Sequence, residues 1–217
     1  MPTIEEARGW YSSDDPVHGF DHVLRVYFMA EHLAKLEGAD LEIVRAAALL
    51  HDASNVLPVE ADDLNLRHSH QHVAAEFAAK TLRLEGWPEE RISAVQHCIR
   101  THRFRDDSEP PSSLEAQVLF DADKLDAIGA IGVARAVAFA ARAGQPAFAP
   151  PSEQFLRSGM TEAGEPHSAY HEYCYKLVRL KDRLFTSSAR FIAEGRHHQM
   201  VAFFEQLSEE AGIYSAG

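Results

Sequence analysis

The sequence predicts an all-α fold. Apolar residues recur at intervals of three and four along most of the chain, the period of one buried helical face. These runs are separated by Gly, Pro, Asp and Ser at positions where helices stop and start. No segment shows the strict alternation of a half-buried strand, and no glycine-rich phosphate loop or internal repeat is present.

A short helix is expected from Thr3 to about Tyr11, followed by a polar turn, SSDDPVHG. Phe20, Val23, Val26, Tyr27, Ala30, Leu33 and Ala34 then mark a helix over 20–37 that Gly38 closes. His22 shares a line with Val26, Met29 and Leu33, which turns it toward the buried side. Asp40 caps the next helix, whose inward face carries Ile43, Val44, Ala47, Ala48 and His51. Residues 53–66 read as a loop. A helix follows from about Ser69 to Glu85, with Val73, Phe77 and Leu84 inside and Gly86 as its stop. Pro88 and two glutamates open another that runs to His102, with Ile92, Val95 and Ile99 inside.

After the loop RFRDDSEPPSS, Leu114 to Ala143 is the longest apolar-periodic stretch, and Gly129 and Gly132 within it predict close helix packing rather than a break. A second long loop, GQPAFAPPSEQFLRSGMTEAGEP, precedes two helices over His167–Leu207, split near Thr186 or Gly195. The expected organisation is a single domain over 1–217, with a core at about 18–140 and a helical extension at about 165–210.

Composition narrows the function classes. A net charge of -12 excludes a generally basic nucleic-acid or anionic-membrane surface. The two cysteines, Cys98 and Cys174, form no CxxC pair and no disulfide framework. The N-terminus lacks an apolar signal region, no run approaches a membrane span, and the expected location is the cytoplasm. Oligomeric state is left open.

Histidine is the outlier, with 13 in 217 residues. Spacing selects among them. The run AAALLHD places His51 and Asp52 at the end of an apolar helix, and a buried carboxylate is costly unless paired or bound to a cation. His22 and Asp123 pose the same question on two other apolar faces. Taken singly, each is accounted for by a hydrogen-bonded core histidine, a helix cap or an ion pair. Together, His22, His51, Asp52 and Asp123 suit one divalent transition metal, Mn, Fe, Co, Ni or Zn, with Mg also compatible. His70 and His102 stand at helix ends, where each could contribute to a second metal, contact a phosphate or simply face solvent. His68, His72 and His97 are weaker candidates for the same jobs.

GFDHVLRV around His22, ALLHD at His51–Asp52, HCIRTHRF and LEAQVLFDADKLDAIGAIGVARA around Asp123 resemble the HD-domain metal-dependent phosphohydrolases. The last segment is similar to a bacterial subgroup with a DADKLDAIGAIGVAR-type motif, and HEYCYKLVRLKDRLFT resembles that subgroup's C-terminal helices. The resemblance implies an HD-domain-like helical bundle with additional C-terminal helices, and metal ligands at His22, His51, Asp52 and Asp123. Asp123 is preferred to Asp121 because the family's ligand stands in an A-D-x-L context, here Ala122 to Leu125. The implied partner is a small phosphorylated substrate, a nucleotide by the subgroup's habit.

Asp126 is the expected group to orient or deprotonate water. Lys124, Arg135, Arg25 and Arg103 are expected to offset phosphoryl charge, although Lys124 and Arg135 could equally be ion-pair partners. One departure stands out. Family members acting as 5′-deoxynucleotidases carry Glu three residues after the HD aspartate, where this chain has Asn55, which cannot accept a proton. The alternatives are a di-iron HD-type oxygenase using His70 and His102, and a non-catalytic nucleotide- or metal-binding module.

Overall fold

A computed structural model of the chain describes residues 1–11, 19–53, 64–103 and 109–213, the side chains of 64–69 and 213 excepted. The described residues are helical, without strands. The elements are α1 (Ile4–Arg8), α2 (Phe20–Glu37), α3 (Leu41–Leu50), α4 (Leu64–Leu84), α5 (Glu89–Thr101), α6 (Leu114–Asp126), α7 (Gly129–Arg142), α8 (Glu153–Ser158), α9 (Ala169–Tyr175), a 3-10 helix (Leu177–Arg183) and α10 (Ser187–Ile213). No described helix is long and apolar enough to cross a membrane. Two compact units are formed, one of Met1–Asp123 with Phe185–Ala189, the other of Lys124–Leu184 with Arg190–Gly217.

The first unit is built around α3, which packs against α1, α2, α4 and α5. Ala46, Ala47, Ala48, Leu49 and Leu50 are all fully buried. The alanines let neighbouring helices approach, and each buried leucine contributes about 1.5–3 kcal/mol. Asp40 starts this helix by accepting from the backbone N–H of Glu42 and Ile43, at 3.0 and 3.2 Å. Arg91 holds the same carboxylate at both oxygens, 2.9 and 3.1 Å away. Val23, Val26, Ala30 and Leu33 of α2, and Ile92, Val95 and Ile99 of α5, supply the facing apolar surfaces. In α4 the inward leucine is Leu82, whereas the expected Leu84 is 91% exposed. Positions i and i+2 on a helix are separated by about 200° around its axis, so Leu82 and Leu84 cannot both face inward.

In the second unit, α9 packs against α7, α8 and the 3-10 helix. Phe155, Leu177, Leu180, Met200 and Phe204 are buried there, and the Tyr173 and Phe204 rings stack with centroids 4.4 Å apart.

The expected continuous helix over 114–143 is instead two. The break falls at Ala127–Ile128, and Gly129 follows it in the left-handed region at φ 75°. Gly132 sits so close to the Ala127 carbonyl that an added Cβ would lie 2.3 Å from its oxygen. The two glycines therefore make a tight corner between helices. The loop expected after α7 contains α8, capped by Ser152, whose Oγ accepts from the Phe155 N–H at 3.0 Å. The C-terminal split falls at Thr186, and α10 runs unbroken through Gly195.

Candidate metal centre

Three helices of the first unit deliver histidines. His22 lies in the opening turn of α2 and is 2% exposed. His51 and His102 follow the last residues of α3 and α5 and cap them. Each capping ring turns back onto its own helix: His51 Nδ1 lies 2.8 Å from the Ala48 carbonyl and His102 Nδ1 2.5 Å from the Ile99 carbonyl. A carbonyl only accepts, so the proton sits on Nδ1 and Nε2 carries a lone pair. His51 Nε2 is buried and has no hydrogen-bond partner. Leaving such an atom unpaired costs about 1–3 kcal/mol, and a metal bond is one way to satisfy it.

The ligand atoms form two adjoining groups, His22–His51–Asp123 and Asp52–His70–His102, each with its atoms within 4.8 Å of one another. Within the first, His22 Nε2 is 3.4 Å from Asp123 Oδ1. Asp52 links them: its Oδ2 is 3.6 Å from His51 Nε2, while its Oδ1 lies 3.0 Å from His70 Nε2 and 3.3 Å from His102 Nε2. The His51 ring stands edge-on to both His22 and His102, with centroids 5.6 and 5.2 Å away.

Protonation states suit a cation. Burial, opposed by the charge of Asp52 and aided by the neighbouring histidines, lowers the His51 pKa to about 4, so the ring is neutral at pH 7. For Asp52, burial works upward but is outweighed by the neighbouring His51, His102 and His70, which hold the carboxyl well below its usual range. Neutral imidazole and ionised carboxylate are the forms that bind metal. The C-terminal ends of α3 and α5 add partial negative charge where those two rings stand. This donor set fits the transition metals expected from the sequence.

Other expected residues fall as follows. Arg103 lies against His70, its Nη1 in contact with His70 Nδ1. Arg25 is half-buried on α2, one turn after His22. Lys124, Asp126 and Arg135 belong to the second unit. There, Arg135 Nη1 donates to Asp126 Oδ2 at 2.9 Å and to its carbonyl at 3.3 Å. Asn55 lies outside the described residues.

Asp121 and Asp123 differ sharply. Asp121 is fully buried and accepts the backbone N–H of Phe185 and Thr186 and the Thr186 hydroxyl, at 2.9, 2.7 and 2.7 Å.

Two further features carry no clear mark in the sequence. Tyr11, raised in pKa by burial and by the Asp52 charge, donates its hydroxyl to the Leu49 carbonyl at 2.8 Å, closing the last turn of α3. In the second unit, His171 is 3.0 Å from Glu165 through Nε2 and 2.7 Å from the Ser168 hydroxyl through Nδ1. Ser168 and His171 are buried, and Ser168 also caps α9, so this trio ties a loop to a helix. The S-x-x-H spacing ahead of an apolar helix was its available signal.

Residues 19–128, half of the chain, match the HD domain. The uncharacterized protein YpgQ of Bacillus subtilis is 36% identical over 97% of this chain and 94% of its own length. The crystal structure of YpgQ in complex with ADP aligns at a TM-score of 0.69 and 33% identity, covering 96% of this chain and 97% of that one. An HD-superfamily hydrolase from Bacillus thuringiensis aligns at a TM-score of 0.68 and 28% identity, over 99% of this chain and 95% of its own. With the His-Asp pair of α3 at the meeting point of two groups of metal-competent side chains, this chain belongs to the HD-domain phosphohydrolase superfamily.

Proposed function

We propose that this protein is a metal-dependent phosphohydrolase that cleaves a phosphate ester or anhydride of a small molecule, with a nucleotide as its substrate. The observation that carries the proposal is the buried, partnerless Nε2 of His51, facing an ionised Asp52 and flanked by His22. The ADP complex of YpgQ supports the nucleotide class.

His22, His51, Asp52 and Asp123 would hold the cation. When bound, such an ion supplies Lewis acidity toward a phosphoryl oxygen and lowers the pKa of a water. The chain's own contribution is orientation. His51 is fixed by the Ala48 carbonyl, and Asp52 is fixed at one oxygen by His70, leaving the other toward His51. Arg25 and Arg103 would offset phosphoryl charge, a local need in a chain of net charge -12. Lys124, Asp126 and Arg135 keep the charge-offsetting and water-orienting roles expected for them. Asp126, already paired with Arg135, is better suited to orienting a water than to taking its proton. The variants K124A, D126N and R135A test those roles.

The experiment is metal analysis of the purified protein together with a screen of nucleotides and phosphate monoesters. The expected result is a bound divalent transition metal and metal-dependent release of phosphate or pyrophosphate from a nucleotide, both lost in H51A and D52A. Bound metal and full activity in both variants would refute the site. Tight nucleotide binding without turnover under every divalent metal would favour a binding module. Two irons per chain with a visible absorption band would favour an oxygenase.

A further inference from the structure

The three histidines nearest Asp52 are not chemically equivalent. His51 and His102 each place Nδ1 against a backbone carbonyl, which fixes the proton on Nδ1. His70 does the reverse. Its Nδ1 faces the guanidinium of Arg103, and a guanidinium has five N–H donors and no acceptor. His70 Nδ1 must therefore accept, the proton of the neutral ring must sit on Nε2, and Nε2 stands 3.0 Å from Asp52 Oδ1 with a hydrogen to donate.

We infer that His70 is a hydrogen-bond donor to Asp52 rather than a metal ligand, and that Arg103 sets the tautomer that makes it so. This rests on the metal reading proposed above and adds to it. The group Asp52–His70–His102 has the spacing of a second metal site. With the Nε2 lone pair of His70 used up by a proton, it offers one imidazole lone pair, from His102, and one carboxylate oxygen that already accepts from His70. Even a catalytic zinc site takes three protein ligands, so two are too few. The centre is thus built for one metal. Arg103–His70–Asp52 forms a relay of donors that pins Oδ1 and leaves Oδ2 for the cation beside His51. His70 and Arg103 are positioning residues.

Two measurements test this on the full chain. The first is long-range 1H–15N NMR of histidine-labelled protein, metal-free and zinc-loaded, which reads the proton on each ring nitrogen. The expected result is Nε2–H for His70 and Nδ1–H for His51 and His102, with His70 relaxing to a tautomer mixture in R103M. A zinc-bound His70 Nε2, or Nδ1–H at that ring, would overturn the assignment. An unchanged His70 in R103M would remove Arg103 from it.

The second is titration with cobalt(II) in wild type and H70A. One equivalent is expected in both, with the same cobalt absorption band and affinity about tenfold weaker in H70A. Two equivalents in wild type falling to one in H70A, loss of all metal in H70A, or an affinity unmoved in H70A would each refute the role. A wild-type chain that binds no metal fails the reading under Proposed function, whereas the NMR of the metal-free chain still decides the His70 tautomer.

Discussion

Asp121 and Asp123 sit two residues apart on one helix, and their replacement is expected to break different things. Alanine at 121 removes an acceptor that takes two backbone N–H groups and one hydroxyl, all from residues 185–186, with no exposure to water. A hydrogen bond to a charged group contributes about 1.5–3 kcal/mol, but bonds sharing one carboxylate are not additive. Stranding three donors around a buried site gives a loss of about 3–5 kcal/mol. With a urea m-value of about 2–3 kcal/mol/M, the midpoint of D121A falls by about 1–2.5 M. Alanine at 123 removes a partly exposed carboxylate that lies 3.4 Å from His22 Nε2, and the metal-free stability moves by about 1 kcal/mol or less. The assay is urea unfolding in chelator paired with metal content of each folded variant. D121A should be unstable but metal-bound, and D123A stable but metal-poor. A folded D121A without metal, or a D123A that keeps it, would refute the division of labour between the two aspartates.

Gly132→Ala should cost about 1–3 kcal/mol in thermal or urea unfolding, because its Cβ would lie 2.3 Å from the Ala127 oxygen; an unchanged midpoint would mean the corner has slack. Metal at a hundredfold excess over its Kd should stabilise the wild-type chain by about 2.7 kcal/mol and leave H51A where it was, as read by melting temperature. Glu165 gives the pH test. Burial raises its pKa but is outweighed by donors from Ser152, Glu162 and His171, which lower it from 4.5 to about 2. A depressed folded-state pKa means the contribution is complete above about pH 4.5 and is lost as pH falls toward 2. Wild type should therefore lose stability through that window more steeply than E165Q, and parallel curves would discount the carboxylate.

Helix existence was legible because burial on one face leaves a period of three to four in the apolar residues. The corner at Ala127–Ile128 was not, since Ala, Ile, Gly and Val continue that period across a break made by backbone conformation alone. Leu82 and Leu84 show the same gap at smaller scale: both are apolar at a helix end, and only packing decides which is inside. At the centre, His51 and Asp52 were visible because polar residues terminate the fully apolar run Ala46–Leu50. Asp121 and Asp123 share one sequence environment, and the partners of Asp121 come from 64 and 65 residues on. His70 could be flagged as a candidate, but its tautomer depends on Arg103, which is 33 residues away.

His51 and His102 share an anchoring rule: each caps its helix and bonds the carbonyl three residues back. Aim and tautomer are thereby written into the way a helix stops, with no neighbouring side chain needed to maintain them. The ring that lacks this local anchor, His70, is set by an arginine 33 residues away, so a single substitution outside its own helix can undo its aim.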